Sequence, residues 1–287
     1  MITSELKYTL GSALIVVLLI AAYAVRVAVK GRAHFDRIDS QGGSRLLSKG
    51  AMEIGYWILN PVARFLVLLG ITPNQVSWAS LSLGFLAGAC LAVGHFGYAA
   101  IFATISGVLD SVDGMVARIS GLASHAGEVL DAAIDRYVEF FFLSGLIIYY
   151  REVPVLQVLA LLALLGSFMV SYSTTKAEAL NVDPSRGSMR RPERAVYLTL
   201  GASLSAITIP LFEIRSDFST PNGYPMMVAL GLVAVVANVS AIRRFHFIAR
   251  ATRVREKNRP EAGTTAAGKD LVEEQEASHI HAAKIQL

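Results

Sequence analysis

The sequence predicts an all-α protein that crosses a membrane several times. The chain has 287 residues, of which 54% are hydrophobic and only 17% are charged, and this composition is too apolar for an ordinary soluble domain. Apolar runs recur along it, each close to the ~20 residues with which a helix crosses the hydrocarbon core. The seven runs are residues 8–29, 75–95, 97–117, 126–150, 154–175, 195–213 and 224–245.

The distribution of basic residues predicts how these helices are oriented. Lysine and arginine number seven, five and seven in three connections, residues 26–64, 176–194 and 243–259. The opposite connections offer only Lys7, Arg151 and Arg215. Because basic loops stay on the cytoplasmic side, the sequence predicts an outside N-terminus, a cytoplasmic C-terminus and a multi-pass protein of the cell inner (cytoplasmic) membrane. The net charge of +4 follows from this bias, so we expect no nucleic-acid partner.

Four segments divide the chain. Residues 1–30 form an N-terminal transmembrane anchor, which we expect to be retained because it lacks a basic start and a convincing cleavage site. Residues 31–70 combine a polar cytoplasmic connector with an amphipathic interfacial helix that Pro61 interrupts. Residues 71–250 contain the remaining six apolar runs and form the membrane domain. Residues 251–287 are polar, and we expect a disordered cytoplasmic tail there.

Local signals mark the start of the membrane domain. Thr72 is a typical N-cap, and Pro73 stands where proline is favoured, in the first helical turn. Gly84 and Gly88 form a GxxxG pattern, which indicates close packing against another helix. The only cysteine, Cys90, lies in an apolar run, so the chain has no internal disulfide.

Four aspartates stand out because a carboxylate inside an apolar helix costs several kcal/mol. Asp110 and Asp113 are three residues apart, and Asp131 and Asp135 are four apart, so each pair projects from one helical face. The short "GLASHAG" stretch between the pairs predicts a reversal that brings both pairs together on the cytoplasmic side. Converging carboxylates need cations, and hard oxygen ligands suit Mg²⁺ or Mn²⁺, with phosphate oxygens completing the shell.

The residues around the aspartates fit a phosphate-bearing ligand. Gly114, Ala117 and Gly127 are small and leave space above the metal, and the planar guanidinium of Arg118 suits a phosphate or a carboxylate. The sequence therefore predicts a metal–diphosphate pocket at the membrane boundary. A purely structural role, in which an aspartate pairs with Arg118 or Arg136, is the alternative.

These residues resemble the signature of the CDP-alcohol phosphotransferase family. The chain matches all eight fixed positions at the family's spacing, and the resemblance extends over roughly residues 55–250, including "GITPNQVS". It implies a six-helix membrane core, to which residues 1–30 add one extra N-terminal transmembrane helix. The matching positions are Asp110, Asp113, Gly114, Ala117, Arg118, Gly127, Asp131 and Asp135.

The resemblance also implies a reaction and roles for these residues. An alcohol attacks the lipid-side phosphate of a CDP-linked lipid, typically CDP-diacylglycerol, and CMP leaves. Asp110, Asp113 and Asp131 are then metal ligands, and Asp135 is the general base with a further metal contact. The CDP site is formed by Asp110, Asp113, Gly114, Ala117, Arg118 and Gly127. The oligomeric state, including a homodimer, is left open.

A basic loop indicates which alcohol is accepted. Lys176, Arg190, Arg191 and Arg194 flank the connection between the fifth and sixth apolar runs, and this region resembles the phosphatidylinositol-phosphate synthase branch, where basic residues hold the phosphate of inositol phosphate. We therefore expect inositol phosphate as the acceptor, with glycerol 3-phosphate as the alternative. If the basic residues only orient the membrane helices, they carry no information on the acceptor.

A transporter and a non-catalytic scaffold are the alternatives from other classes of function. A transporter also places acids in membrane helices, but transporters commonly show repeated halves and broken helices, and this chain shows neither pattern. A non-catalytic scaffold would be expected to lose at least one aspartate, and all four are present.

Overall fold

The computed structural model describes residues 4–30, 49–182, 189–212 and 223–257. These residues contain eight α-helices and no strand, which confirms the predicted all-α class. Most of the polar connector and of the C-terminal tail lies outside the described residues. The helices are α1 (Ser4–Lys30), α2 (Lys49–Leu68), α3 (Pro73–Ala92), α4 (Phe96–Ile119), α5 (His125–Tyr149), α6 (Pro154–Ala179), α7 (Arg191–Leu211) and α8 (Tyr224–Lys257).

Six of these helices are long and apolar enough to cross a membrane: α1, α3, α4, α6, α7 and α8. The sequence predicted seven spans, and the difference is α5. This helix has 25 residues, but it carries Asp131, Asp135, Arg136 and Glu139, and these charges remove it from the set by composition. Helix α5 packs along α3 and α6, and Asp131, Asp135 and Glu139 are partly buried there.

The helix signals at the start of the membrane domain are confirmed. The Thr72 hydroxyl accepts a hydrogen bond from the Gln75 N–H, and the Gln75 side chain accepts one from the Thr72 N–H. This reciprocal capping box, with Pro73 at the first helical position, begins α3.

Small residues allow α3 and α5 to pack closely. A Cβ added at Gly88 would lie 2.2 Å from the Phe141 carbonyl oxygen, and one added at Gly84 would lie 2.8 Å from a Val138 methyl group. The GxxxG pattern therefore does mark a close helix contact. At Gly145 of α5, an added Cβ would lie 2.2 Å from the Gly88 carbonyl oxygen, so this position also has no space for a side chain.

Two helix boundaries differ from those predicted. Helix α2, which was predicted to be interfacial, continues through Pro61, so the proline lies in its interior and does not interrupt it. At the C-terminus, α8 extends to Lys257, seven residues beyond the predicted end of the membrane domain at residue 250. Arg255 near its end donates to the carbonyl oxygens of Leu180 and Asn181, so these contacts tie the last turns of α8 to the end of α6.

Candidate active site

The two aspartate pairs meet because α4 and α5 are joined by a five-residue reversal. Ser120 to Ser124 connect the helices, with Gly121 in the left-handed region at φ 72°. The Ser124 hydroxyl caps α5 by accepting a hydrogen bond from the Gly127 N–H at 3.1 Å. The end of α4 and the start of α5 thus face one another, as the "GLASHAG" stretch predicted.

Three of the four predicted carboxylates form a cluster. One carboxylate oxygen from each of Asp110, Asp131 and Asp135 lies within 4.8 Å of the others. All three side chains are partly buried, so mutual repulsion is poorly screened unless a cation is present. Hard oxygen ligands in this arrangement suit a divalent ion such as Mg²⁺ or Mn²⁺.

A cationic side chain of the protein lies at this cluster. The Arg191 guanidinium at the start of α7 donates through Nη1 and Nη2 to the two oxygens of Asp110, at 2.8 and 3.2 Å. Its Nη1 also lies 2.5 Å from Asp135 Oδ1, an ion pair at an angle that does not form a hydrogen bond. Arg191 therefore supplies positive charge where the carboxylates converge.

Asp113 faces a different neighbour. Its side chain is buried, and Oδ2 accepts a 2.6 Å hydrogen bond from the Ser77 hydroxyl on α3. Asp113 is not part of the three-carboxylate cluster among the described residues. Ser77 was missed by the sequence analysis, because one serine in an apolar helix carries no signal of its partner 36 residues away.

A cavity of about 910 Å³ extends over the cluster and opens between α2, α3, α4, α5 and α7. This volume lies in the range of small-molecule sites. All six residues that were predicted to bind CDP lie on its wall. They are Asp110, Asp113, Gly114, Ala117, Arg118 and Gly127, and Asp131 and Arg190 join them. Helix α2 contributes Gly55, Tyr56 and Leu59.

The four basic residues predicted to bind the acceptor have different surroundings. Lys176 and Arg190 are exposed, and Arg191 contacts the aspartates. Arg194 is 0% exposed and forms a two-point ion pair with Glu139 of α5, with Nε and Nη2 at 2.6 and 2.9 Å from the carboxylate oxygens.

The surroundings of Arg194 are those of a structural ion pair. Its Nη1 also donates to the Met189 carbonyl oxygen at 2.7 Å. Arg194 therefore joins α7 to α5 through its ion pair with Glu139.

Arg244 on α8 belongs to the basic stretch 243–259, from which the sequence predicted only the orientation in the membrane. It is 7% exposed, and its Nη1 donates to the Thr174 hydroxyl of α6 at 2.9 Å. Its Nε and Nη2 are buried and have no hydrogen-bond partner among the residues that the structure describes. Arg190 and Arg194 repel its charge, and Glu193 attracts it. Buried donors of this kind are costly, so the surroundings favour an anion.

Comparison with known proteins extends these observations. The model of the CDP-alcohol phosphatidyltransferase family matches residues 70–240. The phosphatidylinositol phosphate synthase of Corynebacterium glutamicum is 28% identical over 216 residues, which cover 73% of this chain and 92% of that protein.

Solved structures show the same architecture. The phosphatidylinositol phosphate synthase of Mycobacterium tuberculosis with bound CDP-DAG superposes with a TM-score of 0.58 at 26% identity, covering 67% of this chain and 93% of that one. The same enzyme in complex with manganese and citrate gives a TM-score of 0.58, covering 66% and 87%. Helices α1 and α2 lie outside the residues that the family model matches.

Proposed function

Because this chain belongs to the CDP-alcohol phosphatidyltransferase family, we propose that it transfers the phosphatidyl group of CDP-diacylglycerol to inositol phosphate and releases CMP. The observation that carries this proposal is the three-carboxylate cluster beneath a cavity of about 910 Å³. The relatives support it, since the similar enzymes are phosphatidylinositol phosphate synthases, and one of them binds CDP-DAG.

The aspartates and the cavity supply the parts of this reaction. The hydroxyl oxygen of the acceptor bonds to the lipid-side phosphorus, the bond from that phosphorus to the bridging oxygen breaks, and CMP leaves with that oxygen. Asp135 accepts the hydroxyl proton as the proposed general base. Arg118 and the backbone around Gly114 and Gly127 line the space that the cytidine diphosphate occupies.

Asp110, Asp131 and Asp135 are the residues that would hold a divalent metal ion. Their oxygens lie close enough to share one ion, and the presence of Arg191 among them indicates that this position favours positive charge. A related enzyme binds manganese. When bound, Mg²⁺ or Mn²⁺ neutralises the diphosphate and the charge that develops during transfer. Asp113 is held toward Ser77 at the wall of the same cavity.

The buried guanidinium of Arg244 supports a phosphorylated acceptor. An anion at this position would satisfy its two unpartnered donor groups and offset the repulsion from Arg190 and Arg194. An uncharged alcohol could not do so. Lys176, in the last turn of α6, lies two residues beyond Thr174, the hydrogen-bond partner of Arg244. This argument favours inositol phosphate, with glycerol 3-phosphate as the second acceptor to test.

A direct assay tests the acceptor. Purified protein is given CDP-diacylglycerol, Mg²⁺ or Mn²⁺, and in turn inositol phosphate, glycerol 3-phosphate, inositol or serine, and released CMP is measured. We expect the fastest release with inositol phosphate. Arg244→Ala should raise the KM for this acceptor at least about tenfold, because each charge-assisted hydrogen bond contributes roughly 1.5–3 kcal/mol, and should leave the KM for the CDP-lipid unchanged.

The neighbouring Arg243 provides the matched control. It carries the same charge one residue away but is exposed, so Arg243→Ala should retain the wild-type KM for the acceptor. Equal effects of the two substitutions, or a preference for free inositol or serine, would contradict the proposed acceptor site.

The chain is a multi-pass membrane protein, and in the proposed arrangement the cavity faces the cytoplasm from the inner membrane. The α4–α5 reversal lies at the end of the bundle that also carries Lys176 and Arg190, as basic loops do on the cytoplasmic side. A transporter is not favoured, because the clustered aspartates all lie near the end of the bundle that carries the α4–α5 reversal.

Cysteine labelling tests the orientation. With Cys90 replaced by serine, Leu122→Cys in the α4–α5 reversal and Glu152→Cys in the α5–α6 turn are compared in sealed cells, since both native residues are exposed. A membrane-impermeant reagent added outside should label position 152 and not position 122. The reverse pattern would place the cavity outside and contradict the arrangement.

A further inference from the structure

Helix α1 touches the rest of the protein at its two ends. At its N-terminal end, Leu6 and Thr9 are buried, and Gly97 of α4 lies so close that a Cβ there would be 2.7 Å from the Thr9 hydroxyl. From residue 13 to residue 22 every side chain is exposed. Tyr23 is then 5% exposed. A helix used only as an anchor needs no such second contact.

The second contact of α1 is with α2. The Tyr23 hydroxyl donates to Glu53 Oε2 at 3.2 Å, and the Tyr23 ring lies 5.5 Å from the Trp57 ring. The Arg26 guanidinium lies 5.8 Å from the centre of the same Trp57 ring, as a cation–π pair. Because Glu53 and Trp57 are one helical turn apart, they present one face of α2 to α1.

Residues of α2 next to those that contact α1 form a wall of the cavity. Gly55, Tyr56 and Leu59 line it, and all three precede Pro61 in the helix, close to the residues that α1 contacts. After Pro61, Ala63 is fully buried in a cluster with Val76, Val112, Met115 and Val116 of α3 and α4, and Tyr56 and Leu59 pack against the edge of the same cluster.

Between these halves, α2 is weakened by Pro61. A proline inside a helix removes the hydrogen bond to the carbonyl four residues earlier, which here is that of Trp57, and its ring crowds that carbonyl. Gly55 lowers helix stability further, and a Cβ added there would meet nothing within 4 Å, so packing does not require a glycine. The segment after Pro61 therefore restrains the cavity wall only weakly, and the segment before it depends on the packing of Tyr56 and Leu59 and on its contacts with α1.

We propose that α1 is a positioning element for the CDP-lipid site: through Tyr23 and Arg26 it holds Glu53 and Trp57, and thereby fixes the half of α2 that walls the cavity. Tyr23, Arg26, Glu53 and Trp57 are positioning residues that touch no reacting atom. The proposal rests on the proposed function only for the identity of the ligand, since the restraint on α2 exists without it.

Kinetics with full-length variants test this role. Tyr23→Phe keeps the ring and removes the hydroxyl, so we expect the KM for CDP-diacylglycerol to rise about three- to tenfold, the factor that one net hydrogen bond contributes. The kcat and the KM for the acceptor should stay at wild-type values. Glu53→Ala should raise this KM by the same factor, and Glu53→Gln should raise it less because the amide oxygen can still accept a hydrogen bond. The double variant Tyr23→Phe with Glu53→Ala should raise it no more than either substitution alone, because both remove the same contact.

Tyr8→Phe is the matched control. Tyr8 is on the same helix, is 60% exposed, and contacts the Tyr98 ring at the other end of α1, so its KM values should equal those of the wild type. An unchanged KM for the CDP-lipid in Tyr23→Phe, or a fall in kcat together with Tm, would overturn the positioning role.

Hydrogen exchange provides a readout that needs no activity. In Tyr23→Phe, the amides of residues 53–60 should exchange about three- to tenfold faster than in the wild type, because local opening follows the lost hydrogen bond. Amides of residues 64–68, beyond Pro61, should be unchanged. If exchange changed equally in residues 53–60 and 64–68, the proposed restraint on α2 would be overturned, whichever lipid the enzyme uses. If exchange changed as expected but the protein released no CMP, only the proposed function would be contradicted.

Discussion

Asp135→Asn is expected to lower the turnover of CDP-diacylglycerol by a factor of about 10² or more, which is the usual cost of losing a general base. The Asp135 side chain is only 14% exposed, so a replacement must have a similar shape. Asparagine has nearly the shape of aspartate, and the fold should therefore tolerate the change. The amide cannot accept the hydroxyl proton, whereas the cavity residues that are proposed to bind the cytidine diphosphate remain. Steady-state CMP release and equilibrium binding of the CDP-lipid measure the two effects separately.

Two comparisons make this result specific. Glu152→Gln removes a carboxylate of the α5–α6 turn, far along α5 from the cluster, and should turn over at the wild-type rate. Wild-type protein should lose activity in excess EDTA and recover it with Mn²⁺, since Asp110, Asp131 and Asp135 then lack their proposed ion. A near wild-type rate for Asp135→Asn would place the base on another residue.

Arg194→Ala is expected to destabilise the protein by about 3–5 kcal/mol, the range for breaking a buried ion pair from one side. The substitution leaves the Glu139 carboxylate, whose side chain is 9% exposed, without the cation that it contacts at 2.6 and 2.9 Å. It also removes the donor to the Met189 carbonyl oxygen. The change should appear as a lower Tm in detergent before any specific effect on the acceptor.

A double substitution separates this explanation from acceptor binding. Arg194→Met with Glu139→Leu removes both charges and should recover most of the lost stability, because apolar residues can replace a buried pair at little cost. Arg151→Ala, at an exposed pair with Glu152, should change stability by less than about 1 kcal/mol. A wild-type Tm for Arg194→Ala combined with a raised acceptor KM would instead show that Arg194 serves the acceptor, as its position in the basic loop predicted.

Local patterns in the sequence were sufficient for the fold class and for six residues of the cavity wall. Apolar runs of span length predicted the helices, and the Thr72–Pro73 signal predicted where α3 begins. The intervals between Asp110 and Asp135 predicted two facing pairs, because helical geometry is regular over a few turns. Of the predicted spans, only α5 is absent from the helices that qualify by length and composition, because of the charged residues that it carries.

Only the tertiary structure decided which partner each charged side chain faces. Arg191 and Arg194 lie on one turn of α7, yet Arg191 contacts Asp110 at a separation of 81 residues and Arg194 contacts Glu139 at 55. The Ser77–Asp113 and Tyr23–Glu53 hydrogen bonds are likewise long-range. Helical periodicity fixes the direction of a side chain relative to its own axis. Which neighbour lies in that direction depends on how the helices pack, and Gly88 and Gly145 set that packing by letting backbones approach where any Cβ would collide.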